Sequence, residues 1–175
     1  MMKVYKIFNM KDGKPHALFV NAQKELPIGE WIPAEDTPHY TADNGRPYVK
    51  GNKGQALAYR PGWHSSSLPF FPQGGCKDTR ANAPYPCIHG REQEIFECEI
   101  DGEDCTAEAQ ATKLGYFQHL PNGYYQFTTN FRVRRESYPC RWFISDRIKL
   151  VRQLSHAECD KLLAVAGLPP QEWEE

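Results

Sequence analysis

A chain of 175 residues, 40% hydrophobic and 13% aromatic, can bury one sizeable core and matches the usual size of a single domain, 1–175. Its formal charge of -1 excludes a strong global field, so charge alone points to neither nucleic acid nor an anionic membrane. No segment approaches the ~20 apolar residues of a membrane span and no signal peptide is visible, so a cytoplasmic protein with free thiols is expected, without membrane contact.

In chain order, "KVYKIFNM" and "HALFVN" read as two short strands joined at Asp12-Gly13, because glycine accepts the positive φ of a tight turn. Residues 26–54 are rich in Pro, Gly and Asn and read as loop, with a short strand at Trp31. "QALAYR" is a strand that stops at Arg60, since Pro61 and Gly62 end ladder pairing, and Trp63 to Ser67 is expected to begin a loop or helix. Residues 76–92 form a Cys-, Pro- and Gly-rich insertion. "EIFECEI" is the best strand in the middle of the chain, and Thr106 is placed to cap one or two helical turns. "LPNGYYQFTTNF" is a turn feeding an aromatic strand, and "RWFISDRIKLVRQL" a strand pair around Asp146. Ser155 and Glu158 have capping-box spacing, and Gly167 and Pro169 are stop signals, which predicts a C-terminal helix over 155–167. The sum is an α+β domain of mainly antiparallel short strands with one or two helices.

Charge is unevenly spread. Residues 92–108 carry Glu92, Glu94, Glu97, Glu99, Asp101, Glu103, Asp104 and Glu108 with no Lys or Arg, whereas 131–152 is dominated by Arg and Lys. The favoured reading is two neighbouring strands with solvated faces that attract each other. Tyr and Phe beside Arg132, Arg134 and Arg135 would also suit nucleic acid, by stacking and phosphate contact, but a strand with Arg on its wet face explains the pattern better.

Several chemistries are weak on residue pattern. Cys76, Cys87 and His89 are suitable zinc ligands but lack the close pairing of structural zinc sites; Cys98 and Cys159 read as core. Ser65, Ser66 and Ser67 follow His64 without a nucleophile elbow, and no Gly-rich phosphate loop precedes a helix. The strongest candidate site is "YRPGWHS". Tyr59, Arg60, Trp63 and His64 offer a stacking surface, a fixed positive charge and an imidazole, a combination suited to an aromatic ligand carrying phosphate or ribose. The alternative is scaffolding, with Trp63 pinning the loop to the core.

"VYKIFNMKDGKPHALFVNAQKELPIGEWIPAE", "LAYRPGWHSSSLP", "IFECEI", "NGYYQFTTN" and "RWFISDRIKLVRQLSHAECDKLLAVAG" resemble, in this order, an uncharacterised family of phages and mobile elements, with "YRPGWH" its most specific block. In motif order, "WHSSS", "IFECEI" and "RWFISD" are also similar to the polymerase-like and diphtheria-toxin-like ADP-ribosyltransferases. That resemblance implies an NAD ligand, with His64 at the nicotinamide ribose, Ser65 beside it, and Tyr59 or Trp63 lining the pocket. It sets Arg141 where those enzymes carry their catalytic Glu, and leaves Glu136 as a displaced substitute. The implied function is an intracellular phage protein that binds or acts on NAD or a related nucleotide in phage–host conflict. A different class is a non-enzymatic inhibitor of a host defence complex, occupying a host protein through a charged surface.

Overall fold

The strands find their neighbours through the side chains that alternate along them, and every named pair is antiparallel. A computed structural model of the chain describes residues 1–18, 22–50, 54–69, 93–108, 119–133 and 136–168, with the side chains of 108 and 129–137 outside the description. Strand β1 (Met2–Lys11) buries Val4 and Phe8 on one face and Tyr5 and Ile7 on the other, the pattern of a central strand covered on both sides. Asp12 (φ 52°) and Gly13 (φ 73°) then turn the chain into β2 (Lys14–His16), which pairs back on β1 from Asn9↔His16 to Lys11↔Lys14. The expected opening turn and hairpin are present, with the second strand at Lys14–His16 instead of over 16–21.

On one side of β1 lie β8 (Gln93–Ile100), β11 (Arg147–Gln153) and, at the edge, β3 (Trp31–Pro33). On the other side lie β7 (Trp63–Ser66), β10 (Glu136–Ser145) and β9 (Tyr124–Val133). A separate three-stranded sheet comprises β4 (Tyr40–Thr41), β5 (Pro47–Lys50) and β6 (Ala56–Ala58). The helix α1 (His156–Val165) follows β11, opened by the Ser155–Glu158 capping box, in which Glu158 N–H donates to Ser155 Oγ at 3.1 Å and Ser155 N–H donates to Glu158 at 2.8 Å. Mostly antiparallel strands with one helix agree with an α+β class.

One sheet face carries the main core: Val4, Phe8, Phe96, Cys98, Ile100, Phe143, Ile148 and Leu150, joined by Leu26 and Ile32. The sheet curls over this face, because the Trp63 indole of β7 donates to the Ile32 carbonyl of β3 at 3.0 Å across three intervening strands. The opposite face packs Tyr5, Ile7 and Ile95 against Leu154 and Cys159, and Cys140 against Leu163 and Leu168.

Three local expectations change. Residues 26–54, read as loop with a short strand at Trp31, also carry β4 and β5, paired through Tyr40↔Tyr48 and Thr41↔Pro47. Trp63 to Ser66 is neither loop nor helix but the strand β7, because Gly62 takes φ 128° and reverses the chain directly into a new pairing with β10. A Cβ at Gly62 would stand 2.5 Å from Ile144 Cγ2 and 3.0 Å from the Ser145 carbonyl, so glycine is required there. At Thr106 there is a 3-10 turn, Thr106–Glu108, with Asp104 accepting from the Thr106 backbone and hydroxyl; residues 109–118 lie outside the described residues.

Part of the uneven charge resolves into strand pairing, while the side chains of Arg132, Arg134 and Arg135 lie outside the described residues. Arg147 holds Asp101 through two hydrogen bonds of 2.8 and 2.6 Å, Lys149 pairs with Glu99, and Arg152 bridges Glu97 and Glu158. The acids of β8 and the bases of β11 thus face each other across one ladder. Among the described residues no helix is long and apolar enough to cross a membrane.

Candidate functional site

Alternation sets the site. On β7, Trp63 and Ser65 point to the curled core face, while His64 and Ser66 point to the other. The register Trp142↔Ser66 and Ile144↔His64 puts Trp142 and Ile144 of β10 beside His64, and Phe127↔Trp142 and Tyr125↔Ile144 extend the same face onto β9. Tyr125 and Ile144 are buried together, leaving His64 and Trp142 half-buried and Phe127 exposed. The result is an aromatic surface across three adjacent strands.

His64 is held at both ring nitrogens. Nε2 lies 2.9 Å from the Arg60 carbonyl, and Nδ1 accepts from the Trp142 indole N–H at 3.4 Å, an arrangement that assigns the ring proton to Nε2. The two rings meet edge on, with centroids 6.2 Å apart at 75°. Burial disfavours the imidazolium most, the bond to the Arg60 carbonyl opposes this, and the positive charges of Lys6 and Arg60 add to the burial; the pKa is held down to about 4. His64 is therefore a neutral, fixed imidazole at pH 7.

The other sequence-selected residues separate. Tyr59 is buried and its hydroxyl donates to Asp36 at 2.7 Å, with its ring 4.2 Å from that of His39; burial pushes its pKa up. Trp63 is tied into the core by Ile32. Ser65 is buried, and its Oγ has no hydrogen-bond partner among the described residues. Arg60 is exposed on the turn before β7, with its carbonyl spent on His64. Of the five, only Arg60 and His64 meet on one surface. Arg141 is exposed on β10 with its guanidinium 5.7 Å from the Phe143 ring centre. Glu136 opens β10 eight residues before Ile144, the partner of His64, which is about 26 Å of strand at ~3.3 Å per residue. The strand register does not bring Glu136 and His64 together.

Residue pattern missed Trp142, Phe127 and Lys6. Trp142 and Phe127 stand in segments rich in aromatics, but only the β9–β10–β7 register makes them neighbours of His64. Lys6 had a local signal. It shares strand parity with the apolar Val4 and Phe8, and its Nζ donates to the His64 carbonyl at 2.8 Å.

Cys76, Cys87 and His89 lie outside the described residues. Among those described, Cys98 and Cys159 are fully buried free thiols, and no group of three metal-ligating side chains occurs. The chain matches no family model, no curated protein and no solved structure.

Proposed function

We propose that the surface of Arg60, His64, Trp142 and Phe127 binds a nucleotide-type ligand such as NAD. The observation that carries this reading is the neutral His64 imidazole, fixed edge on against the half-buried Trp142, with Phe127 exposed directly across the ladder. A base or nicotinamide ring stacks on Trp142 and Phe127, because every such ring has a π face. Arg60 supplies positive charge for phosphate.

Binding is favoured over ADP-ribosyl transfer. Transfer through an oxocarbenium-like state calls for a carboxylate near the reacting sugar. Arg141 brings the opposite sign at the corresponding position, and β10 carries Glu136 far from His64. The resemblance to phage and mobile-element proteins suggests the setting, a ligand-binding protein in the host cytoplasm during phage–host conflict. The alternative of a charged face that occupies a host defence protein is less favoured, since Asp101, Glu99 and Glu97 are already matched by Arg147, Lys149 and Arg152. Saturation-transfer NMR with NAD, ADP-ribose and ATP tests the reading: ligand signals attenuate with the intact protein and recover with Trp142→Ala. Silence across all three ligands would refute it.

A further inference from the structure

The dipeptide Asn-Gly occurs twice in the chain, as Asn44-Gly45 and Asn122-Gly123, and the fold gives the two opposite surroundings. An asparagine carboxamide is an electrophile within reach of the next backbone nitrogen. Glycine, having no Cβ, leaves that nitrogen uncovered and free to turn.

Asn44 and Gly45 form the exposed tip of the turn between β4 and β5. Gly45 takes φ 81°, and a Cβ there would meet nothing within 4 Å. Asn44 Oδ1 accepts from the Arg46 N–H at 3.1 Å, which folds the carboxamide back along the chain and sets its carbon beside the Gly45 nitrogen. The same N–H is a donor aimed at the oxygen on which charge develops when that carbon is attacked. Two backbone bonds hold the tip: Gly45 N–H donates to the Ala42 carbonyl at 2.8 Å, and Ala42 N–H to the Arg46 carbonyl at 2.9 Å. They rest on β4, a two-residue edge strand with both side chains exposed, so the tip opens without disturbing the core.

Asn122-Gly123 is locked. Gly123 is buried, and a Cβ on it would lie 2.3 Å from the Glu103 carbonyl oxygen. Its carbonyl accepts from the Asp146 N–H at 2.9 Å, the Asn122 carbonyl accepts from the Cys105 thiol at 3.1 Å, and the Tyr124 N–H donates to the Glu103 carbonyl at 3.0 Å. The backbone is thereby fixed on both sides of the Gly123 nitrogen. Ring closure there requires the start of β9 to come away from its neighbours.

We propose that Asn44 is a modification site, at which the chain cyclises spontaneously and converts asparagine to aspartate and isoaspartate, while Asn122 stays an amide. The Gly45 nitrogen, its proton taken by solvent base, attacks Asn44 Cγ; the new C–N bond forms, the bond to the amide nitrogen breaks, and ammonia leaves. Water then adds to either carbonyl of the cyclic imide and opens it, so amide and water become carboxylate and ammonium with no change of oxidation state. Either product sets a second carboxylate beside Asp43. Isoaspartate also lengthens the backbone within the turn, which removes the Ala42–Arg46 register. This inference does not depend on nucleotide binding.

The test is incubation of the folded protein in mildly alkaline buffer, followed by peptide mass mapping with chromatographic separation of the Asn, Asp and isoAsp forms of each peptide. Asn44 is expected to convert at least about tenfold faster than Asn122, a ratio set by the local opening that Asn122 requires. In guanidinium the two sites should convert at similar rates. Asn44→Gln, which would have to close a larger ring, should lose the fast conversion and leave the rate at Asn122 as it was. Asn44 unchanged in the folded protein over the time in which both sites convert in guanidinium, or equal rates at the two sites in the folded protein, would overturn the proposal.

Discussion

The Lys6 ammonium and the His64 carbonyl are 2.8 Å apart, and that bond spans the place where β1 and β7 part. It couples the core face, where Lys6 lies, to the strand that aims the His64 ring at the opposite surface. Removing the amine tests what that arrangement costs. Lys6→Met keeps an unbranched side chain of similar length, fills the same space and drops the charge.

Lys6 has its pKa lowered from 10.5 to about 8 in the fold. Between those values the unfolded chain holds a proton that the native chain has lost, so native stability rises with pH from 8 to 10.5 and the burial penalty is fully present below 8. Relative to Lys6→Met, the wild type should gain roughly 3 kcal/mol over that window. Urea unfolding of both proteins at pH 7.5 and 10.5 measures it. A pH-independent difference would contradict the placement of the amine.

His64 behaves in acid as Lys6 does in base. Its pKa falls from 6.5 to about 4, so below pH 6.5 the unfolded chain takes up a proton that the native imidazole refuses. Stability from this residue is complete above pH 6.5 and is lost as pH falls to about 4, to the extent of roughly 3 kcal/mol. Imidazole NMR titration should place the His64 midpoint near 4, and His64→Gln should remove this part of the acid sensitivity. A midpoint near the ordinary 6.5 would show that the ring is not held as described.

Gly62 decides whether β7 exists. With φ at 128° and Ile144 Cγ2 and the Ser145 carbonyl against it, Gly62→Ala should cost about 2 kcal/mol or more from strain and overlap together. Thermal unfolding measures the loss, and the Trp142 indole signal should shift as β7 moves away from β10. Gly45, a positive-φ turn glycine with open space around it, is the control for φ strain alone, and Gly45→Ala should cost less.

What sequence made legible was local. Asp12-Gly13 and the Ser155–Glu158 box each act within four residues, and both formed as expected. The opposite charges of β8 and β11 were legible because strand partners of opposite sign attract wherever the register brings them together. Trp63 to Ser66 was not, since Pro61-Gly62 is a stop signal in most contexts, and here the chain leaves the turn straight into a ladder with β10. The surface around His64 was half legible. Arg60 and His64 are neighbours along the chain, but Trp142 and Phe127 reach them only through long-range pairing that no short window contains. Tyr59 and Trp63, attractive as ligand aromatics, are drawn off by Asp36 and Ile32, partners far along the chain.

The most direct measurement of the central claim follows the protein's own signals during titration with NAD. Two-dimensional nitrogen–proton spectra report the Trp142 indole, the His64 and Arg60 amides, and the rest of the sheet in one experiment. Saturable shifts confined to Arg60, His64, Trp142 and Phe127, and abolished by Arg60→Glu, are the expected result. An unchanged spectrum with NAD, ADP-ribose and ATP, or shifts confined to the β4–β6 sheet, would contradict the account.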